Sequence, residues 1–217
     1  MKRLAFLLFV FYSSALFGQV SDFDATDFQN ADSIAEHYAA HSLMDLKTLA
    51  DNLTGSLSTE QEKFRAIYKW VCSNIDADYE LVLLNKESRI ILSADDLLKC
   101  NRKFNKMVFE TLQREHKTVC TGYAYLVREL AFHAGLTCVI VNGYAKQSGI
   151  DRNALGAINH SWNVIRLNGK WYVCDATWSS GVYNKSDQKF VKRYNDRYFL
   201  MDPQLFLKTH YPATPEH

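Results

Sequence analysis

Proline and glycine are sparse in this chain, 3 and 9 among 217 residues, and that scarcity excludes a collagen-like repeat or a Gly/Pro-rich disordered chain. It holds neither an internal repeat nor a low-complexity run, which excludes a solenoid. An excess of one charge is missing too. Lys and Arg number 25 against 24 Asp and Glu, a formal net charge of +1 with pI near 7.7, so no field recruits nucleic acid or a membrane surface. The sequence has no Gly-rich phosphate loop and no Cys-x-x-Cys pair, and no metal or other cofactor is expected. Nothing in it speaks to oligomeric state.

Long apolar runs are absent except at the start. Met1-Lys2-Arg3 precedes an apolar stretch from Leu4 to Tyr12, followed by small and polar residues through Ser13, Ser14, Ala15 and Gly18. That order is the pattern of a secretory signal peptide, and the stretch is shorter than the ~20 residues a membrane span needs. Cleavage after Ala15 or Gly18 is expected, leaving an exported chain with no stable span. The domain reading is a signal peptide over 1–18, a helical lead-in over 19–57 and one enzyme-sized domain over 58–217. With 47% hydrophobic residues the chain can bury a substantial core.

Local patterns place the elements. Residues 28–51 read as helical, Ser58-Thr59-Glu60-Gln61-Glu62 as a capped helix start, and Phe64, Ile67, Tyr68 and Val71 as the core stripe that follows. Arg65 and Trp70 lie in that helix, read as part of its structure. Segment 85–111 reads as a mixed-charge helix with a solvated face, and 145–157 as a loop bordering a cleft. Five cysteines are an odd number. Export permits two disulfides among Cys72, Cys100, Cys138 and Cys174, but isolated buried thiols fit equally well.

The chemistry-bearing residues occur in order: Cys120 in Thr118-Val119-Cys120-Thr121-Gly122-Tyr123, His160 in Asn159-His160-Ser161-Trp162-Asn163, and Asp175 in Cys174-Asp175-Ala176-Thr177-Trp178. A thiol, an imidazole and a carboxylate are the parts of a nucleophile, its base and the group that orients the base. Residues 160–167 and 170–175 read as two strands joined by Asn168-Gly169, the strongest short hairpin signal. A two-residue loop sets Leu167 opposite Lys170 and, counting outward, Trp162 opposite Asp175. His160 and Asp175 then share a face as diagonal neighbours, about 7–8 Å apart at Cα. Ser161, Asn163, Tyr172 and Cys174 occupy the other face.

From Tyr123 to Ala134 the apolar spacing is helical, with Gly135 as its stop. Cys120 falls at the helix start, where backbone N–H groups favour a thiolate and can stabilise an oxyanion. A lone cysteine before a helix is most often a packing residue; the His/Asp pair downstream gives this one its interest. Gly122, Tyr123, Trp162 and Trp178 are the candidate residues of a substrate cleft, and Trp171 is expected to help shield the site. Gln113 and His116 lie upstream, but nothing in their spacing singles either out as an oxyanion donor.

The run from Cys120 to Trp178 resembles the transglutaminase-like superfamily, especially its branch similar to the kyphoscoliosis peptidase. Arg65-Ala66-Ile67-Tyr68-Lys69-Trp70-Val71-Cys72 resembles the helix preceding the core in that branch, and the likeness spans about residues 60–210. Members often continue past a segment like Asp202-Pro203 and His210-Tyr211-Pro212. The resemblance implies an α+β, papain-like fold, its nucleophile at a helix N-terminus packed against an antiparallel sheet carrying His and Asp. It also implies Cys120 as nucleophile, His160 as base and Asp175 as orienting group. Thiol acyl transfer on a peptide or protein substrate is then expected, with hydrolysis preferred over cross-linking. The alternative is a non-catalytic module that holds a peptide or cell-wall fragment in the same cleft.

Overall fold

Thr59 opens the first long helix with a reciprocal cap. Its side chain accepts from the Glu62 N–H at 3.3 Å, and the Glu62 carboxylate accepts from the Thr59 N–H at 3.2 Å, so two otherwise orphaned donors are satisfied. The computed structural model describes residues 18–87, 94–146, 158–184, 186–187 and 189–214. Most of the expected signal peptide and residues 147–157 of the expected loop lie outside them.

In chain order the helices are α1 (Gln29–His37), α2 (Leu46–Thr54), α3 (Glu60–Asn74), α4 (Tyr79–Glu87), α5 (Ala94–Glu115), α6 (Cys120–His133), α7 (Ala176–Ser180) and α8 (Pro203–Phe206). The expected helix over 28–51 is two helices, broken where Ala40 takes φ +58°. Within the expected helix over 85–111 the described residues belong to α4, which starts earlier, at Tyr79, and to α5, which runs on to Glu115. No helix among the described residues is long and apolar enough to cross a membrane.

The strands are β1 (Asp76–Ala77), β2 (Lys117–Thr118), β3 (Thr137–Ala145), β4 (His160–Leu167), β5 (Lys170–Cys174), β6 (Gly181–Asn184), β7 (Lys189–Lys192) and β8 (His210–Pro212). The main sheet runs β5-β4-β3-β8, every neighbour antiparallel. Its β4–β5 hairpin has the expected register, Leu167 against Lys170 through Asn163 against Cys174. Asn168 and Gly169 take φ +49° and +81°, the two positive angles of a type I′ turn whose twist matches the strands.

One face of this sheet packs on helices. Ile165, Leu167, Tyr172 and Cys174 join α1, α2, α3 and α6 in the main core, which also takes in Phe23, Leu49 and Leu53 from the lead-in. On the other face Trp162, Val164, Val173 and Phe206 form a smaller cluster. Asn163 ties the layers together, its amide donating 3.0 Å to the Ala124 carbonyl of α6. The result is an α+β arrangement with the Cys120 helix against the antiparallel sheet.

Arg65 is structural, as expected, but through ion pairs and not through apolar packing. Its guanidinium is buried, and it donates to Asp32 through Nε at 2.6 Å and Nη2 at 2.8 Å, and to Asp196 through Nη1. The planar fork suits this bidentate pairing. A single buried cation therefore joins α1, α3 and the turn Asp196–Tyr198.

Candidate active site

Cys120 is the first residue of α6, behind the extended N-cap Val119. Val119 offers no side-chain cap, so no capping side chain competes with the thiol for the positive end of the helix. The short parallel pair β1–β2 delivers the chain to this point, matching Ala77 with Thr118. Burial by itself would push the Cys120 thiol up. The hydrogen bond and charge of His160, with the Ser161 backbone N–H donating to sulfur, outweigh it and hold the thiol below its ordinary value.

His160 starts β4, and Asp175 follows the last residue of β5. Asp175 is fully buried and each of its oxygens has its own work. Oδ1 caps α7, accepting from the Thr177 and Trp178 N–H groups at 2.9 and 3.2 Å. Oδ2 lies 2.7 Å from His160 Nε2, which leaves Nδ1 as the nitrogen available to the thiol. Burial alone would lower the His160 pKa, but the Asp175 charge and hydrogen bond, helped by Cys120, raise it to about 10. Asp175 in turn sits well below the usual carboxylate range, because the two imidazoles overcome its desolvation.

The second imidazole belongs to His210, which the sequence reading did not nominate. His210 is fully buried at the start of β8, its Nε2 3.1 Å from the same Asp175 Oδ2. Phe206 stacks on it at 4.0 Å and Trp178 lies 4.5 Å away between ring centres. Its only mark in the sequence is the His210-Tyr211-Pro212 segment. Donor atoms of His160, Asp175 and His210 lie within 4.8 Å of one another. Both Nε2 atoms are committed to one carboxylate oxygen, so the group reads as a hydrogen-bonded chain and not as a ligand shell.

The structure thus brings Cys120, His160 and Asp175 together. Trp162 and Trp178 flank the imidazole, with ring centres at 6.2 and 5.7 Å from His160. It does not bring Gly122 and Tyr123 to the surface. A Cβ on Gly122 would lie 1.8 Å from Thr118 Oγ1, and buried Tyr123 donates its hydroxyl to the Ile75 carbonyl at 2.7 Å. Trp171 packs with the outer-face cluster of Trp162 and Val164. His116 turns the chain at φ +53°, its carbonyl accepting from the Asp76 N–H, and Gln113 lines a small cavity beside Tyr125. All five cysteines are free thiols.

Comparison with known proteins gives matching results. The family model described as Transglutaminase-like superfamily matches residues 47–176. The kyphoscoliosis peptidase of Homo sapiens is 32% identical over 191 residues, covering 87% of this chain and 26% of that protein. Hillarin of Drosophila melanogaster is 26% identical over 207 residues, covering 89% and 23% respectively. The chain therefore spans about a quarter of the length of these relatives. Among solved structures, a TGase crystal structure is 18% identical at TM-score 0.41, covering 73% of this chain and 35% of that one.

Proposed function

The chain belongs to the transglutaminase-like superfamily, and from that premise we propose that it is a thiol acyl-transfer enzyme acting on peptide or protein amide bonds. Cys120 is the nucleophile, His160 the acid and base, and Asp175 the group that orients and charges His160. The observation that carries this reading is the depressed Cys120 thiol in contact with an imidazole whose other nitrogen is bound to a buried carboxylate.

The steps follow from that arrangement. The Cys120 thiolate attacks the amide carbon, forming a C–S bond, and the oxyanion falls against the uncapped first turn of α6. His160 Nδ1 gives its proton to the departing amine as the C–N bond breaks, leaving a thioester and a neutral imidazole. That imidazole takes a proton from the acceptor, which attacks the thioester; the C–S bond breaks and the thiolate beside a protonated imidazole is restored. With water the outcome is hydrolysis; with a second amine it is a cross-link. Hydrolysis is the preferred outcome, supported by the peptidase activity in the name of the human relative. The N-terminal apolar run after Lys2-Arg3 supports action outside the cytoplasm.

The test is to incubate the purified protein, and a Cys120→Ala control, with a peptide library and to read masses. Cleaved products from the parent protein alone are expected. Mass changes absent from both samples sink the acyl-transfer reading and favour a cleft that only holds its peptide.

A further inference from the structure

His210 has no place in the steps above, although it is as fully buried as Asp175. Its ring is closed in by Phe206, Trp178, Trp162 and Tyr198, and burial keeps its pKa low. A neutral imidazole has one N–H. With Nε2 on a carboxylate, that hydrogen must be on Nε2, and the Thr209 hydroxyl, 2.9 Å from Nδ1 and 3.3 Å from the Phe206 carbonyl, can turn its one hydrogen from that carbonyl to the nearer nitrogen lone pair. Asp175 consequently receives four donors: two backbone N–H groups on Oδ1, and His160 and His210 on Oδ2.

We propose that His210 is a positioning residue: by sharing Asp175 Oδ2 with His160, it limits how strongly the carboxylate holds the imidazolium. This rests on the acyl-transfer reading of the same site. A donor on a carboxylate withdraws charge from it, so the neighbouring imidazolium is held less tightly than by an undivided carboxylate. An over-stabilised imidazolium is a poor acid toward the leaving amine, because a proton donor works best with a pKa near the working pH. The arrangement keeps His160 charged beside the thiolate and still able to release its proton. The other titratable groups felt by this cluster are Cys120 and Tyr123 from α6, Cys72 from α3, Cys174 from β5 and Tyr198. Cys72 and Cys174 are held neutral by burial.

The experiment is a ¹⁵N-histidine NMR titration in the Cys120→Ala background, where no thiolate supports the imidazolium. His210→Phe fills the aromatic slot without an N–H, and His210→Gln restores a donor. Removing the donor should raise the His160 pKa by about one unit, a tenfold change in its proton affinity, and glutamine should reverse most of the rise. Thr209→Val, which takes the hydroxyl from His210 Nδ1 and weakens the Nε2–H as a donor, should give a smaller rise in the same direction. It serves as the second reading if the phenylalanine variant does not fold. A His160 pKa that stays in place or falls in the folded variants overturns the proposal, since a purely structural His210 would lower stability without moving it.

The pH profile of iodoacetamide labelling at Cys120, run on the parent chain, separates the two readings. Slow labelling with a His160 pKa that follows His210 refutes the nucleophile and keeps the coupling. Fast labelling with a His160 pKa indifferent to His210 does the opposite.

Discussion

Replacing Asp175 by Asn separates the structural work of this residue from its chemical work. The amide keeps a carbonyl oxygen for the Thr177 and Trp178 N–H groups, so the cap on α7 survives. Its NH₂ then faces His160 and His210, where Oδ2 now accepts, and two hydrogens can serve both imidazoles if each moves its own proton to Nδ1. The stability cost should be about 1–2 kcal/mol, the difference between charge-assisted and neutral hydrogen bonds. Asp175→Ala loses the cap and leaves two buried imidazoles unpaired, which should cost about 3–5 kcal/mol. Reactivity should order differently. With Nδ1 protonated and no carboxylate, His160 can neither accept from Cys120 nor stay charged beside it. At about pH 6 an ordinary thiol is roughly 0.3% ionised. Allowing for the weaker nucleophilicity of a low-pKa thiolate, labelling by iodoacetamide should fall about 20- to 300-fold in Asp175→Asn. Urea unfolding and labelling rates measure the two quantities on the same samples. An Asp175→Asn rate within about threefold of the parent at pH 6 refutes the tautomer argument, and equal destabilisation by Asn and Ala refutes the hydrogen-bond argument.

Stability should depend on pH from both sides. His160 is raised in the folded state, so its contribution is complete below the unfolded value of 6.5 and is lost as pH rises toward about 10. Asp175 is depressed, so its contribution is complete above the unfolded value of 3.8 and is lost as pH falls below it. In the Cys120→Ala chain, which removes the depressed thiol whose opposite linkage offsets that of His160 between about pH 6.5 and 9, the unfolding free energy should therefore be greatest near pH 6.5, since His210 is lowered, and fall through the alkaline range by up to a few kcal/mol; a profile of that variant flat from about pH 7 to 9.5 contradicts the pairing. Arg65→Met should cost about 1–3 kcal/mol, because Asp32 and Asp196 keep partial solvent contact when the cation is removed. An unfolding midpoint equal to the parent's refutes the clamp. Peptide mapping after brief alkylation of the folded protein should find label on Cys120 and none on Cys72 or Cys174, whose thiols burial pushes far up; early label on either contradicts the buried core.

What could be read from the sequence was local. Asn168-Gly169 fixes the hairpin through its own backbone angles, so the shared face of His160 and Asp175 follows by counting. Thr59 and Glu62 announce the start of α3 by the same kind of short-range chemistry. Neighbours of Cys120 in sequence were nominated for the cleft, and there the argument failed for a geometric reason. Gly122, two residues on, is turned about 200° away from Cys120 and packs on Thr118, whereas Tyr123, three residues on, returns to the same side and is withheld by its burial, its hydroxyl tied to the Ile75 carbonyl. Arg65 could be read as part of the structure of α3, but the ion pairs it makes could not, because its partners stand far off, at Asp32 and Asp196. His210 was hidden more completely. Pairing of β8 with β3 sets it opposite Ala145, and only that long-range pairing brings it to a carboxylate 35 residues away.

The charge balance at the thiol is therefore set by parts that contribute no reacting atom. Asp175 can present one oxygen to the imidazoles only because the other is occupied by the first turn of α7. That turn is held from α3, where the Tyr68 hydroxyl lies 2.7 Å from Ser179 Oγ and 3.1 Å from the Tyr198 carbonyl. The same Tyr198 carbonyl accepts the Asp175 N–H at 3.1 Å. Arg65, on α3 as well, fixes Asp196 at the head of the turn containing Tyr198. Rotation of the carboxylate would have to break an N-cap, and displacement of its backbone would have to break a network reaching back to α1. A buried charge that cannot turn away from its partner is what lets a desolvated imidazole remain protonated beside a thiol. The helix before the core belongs to the site for that reason, although it carries none of the chemistry.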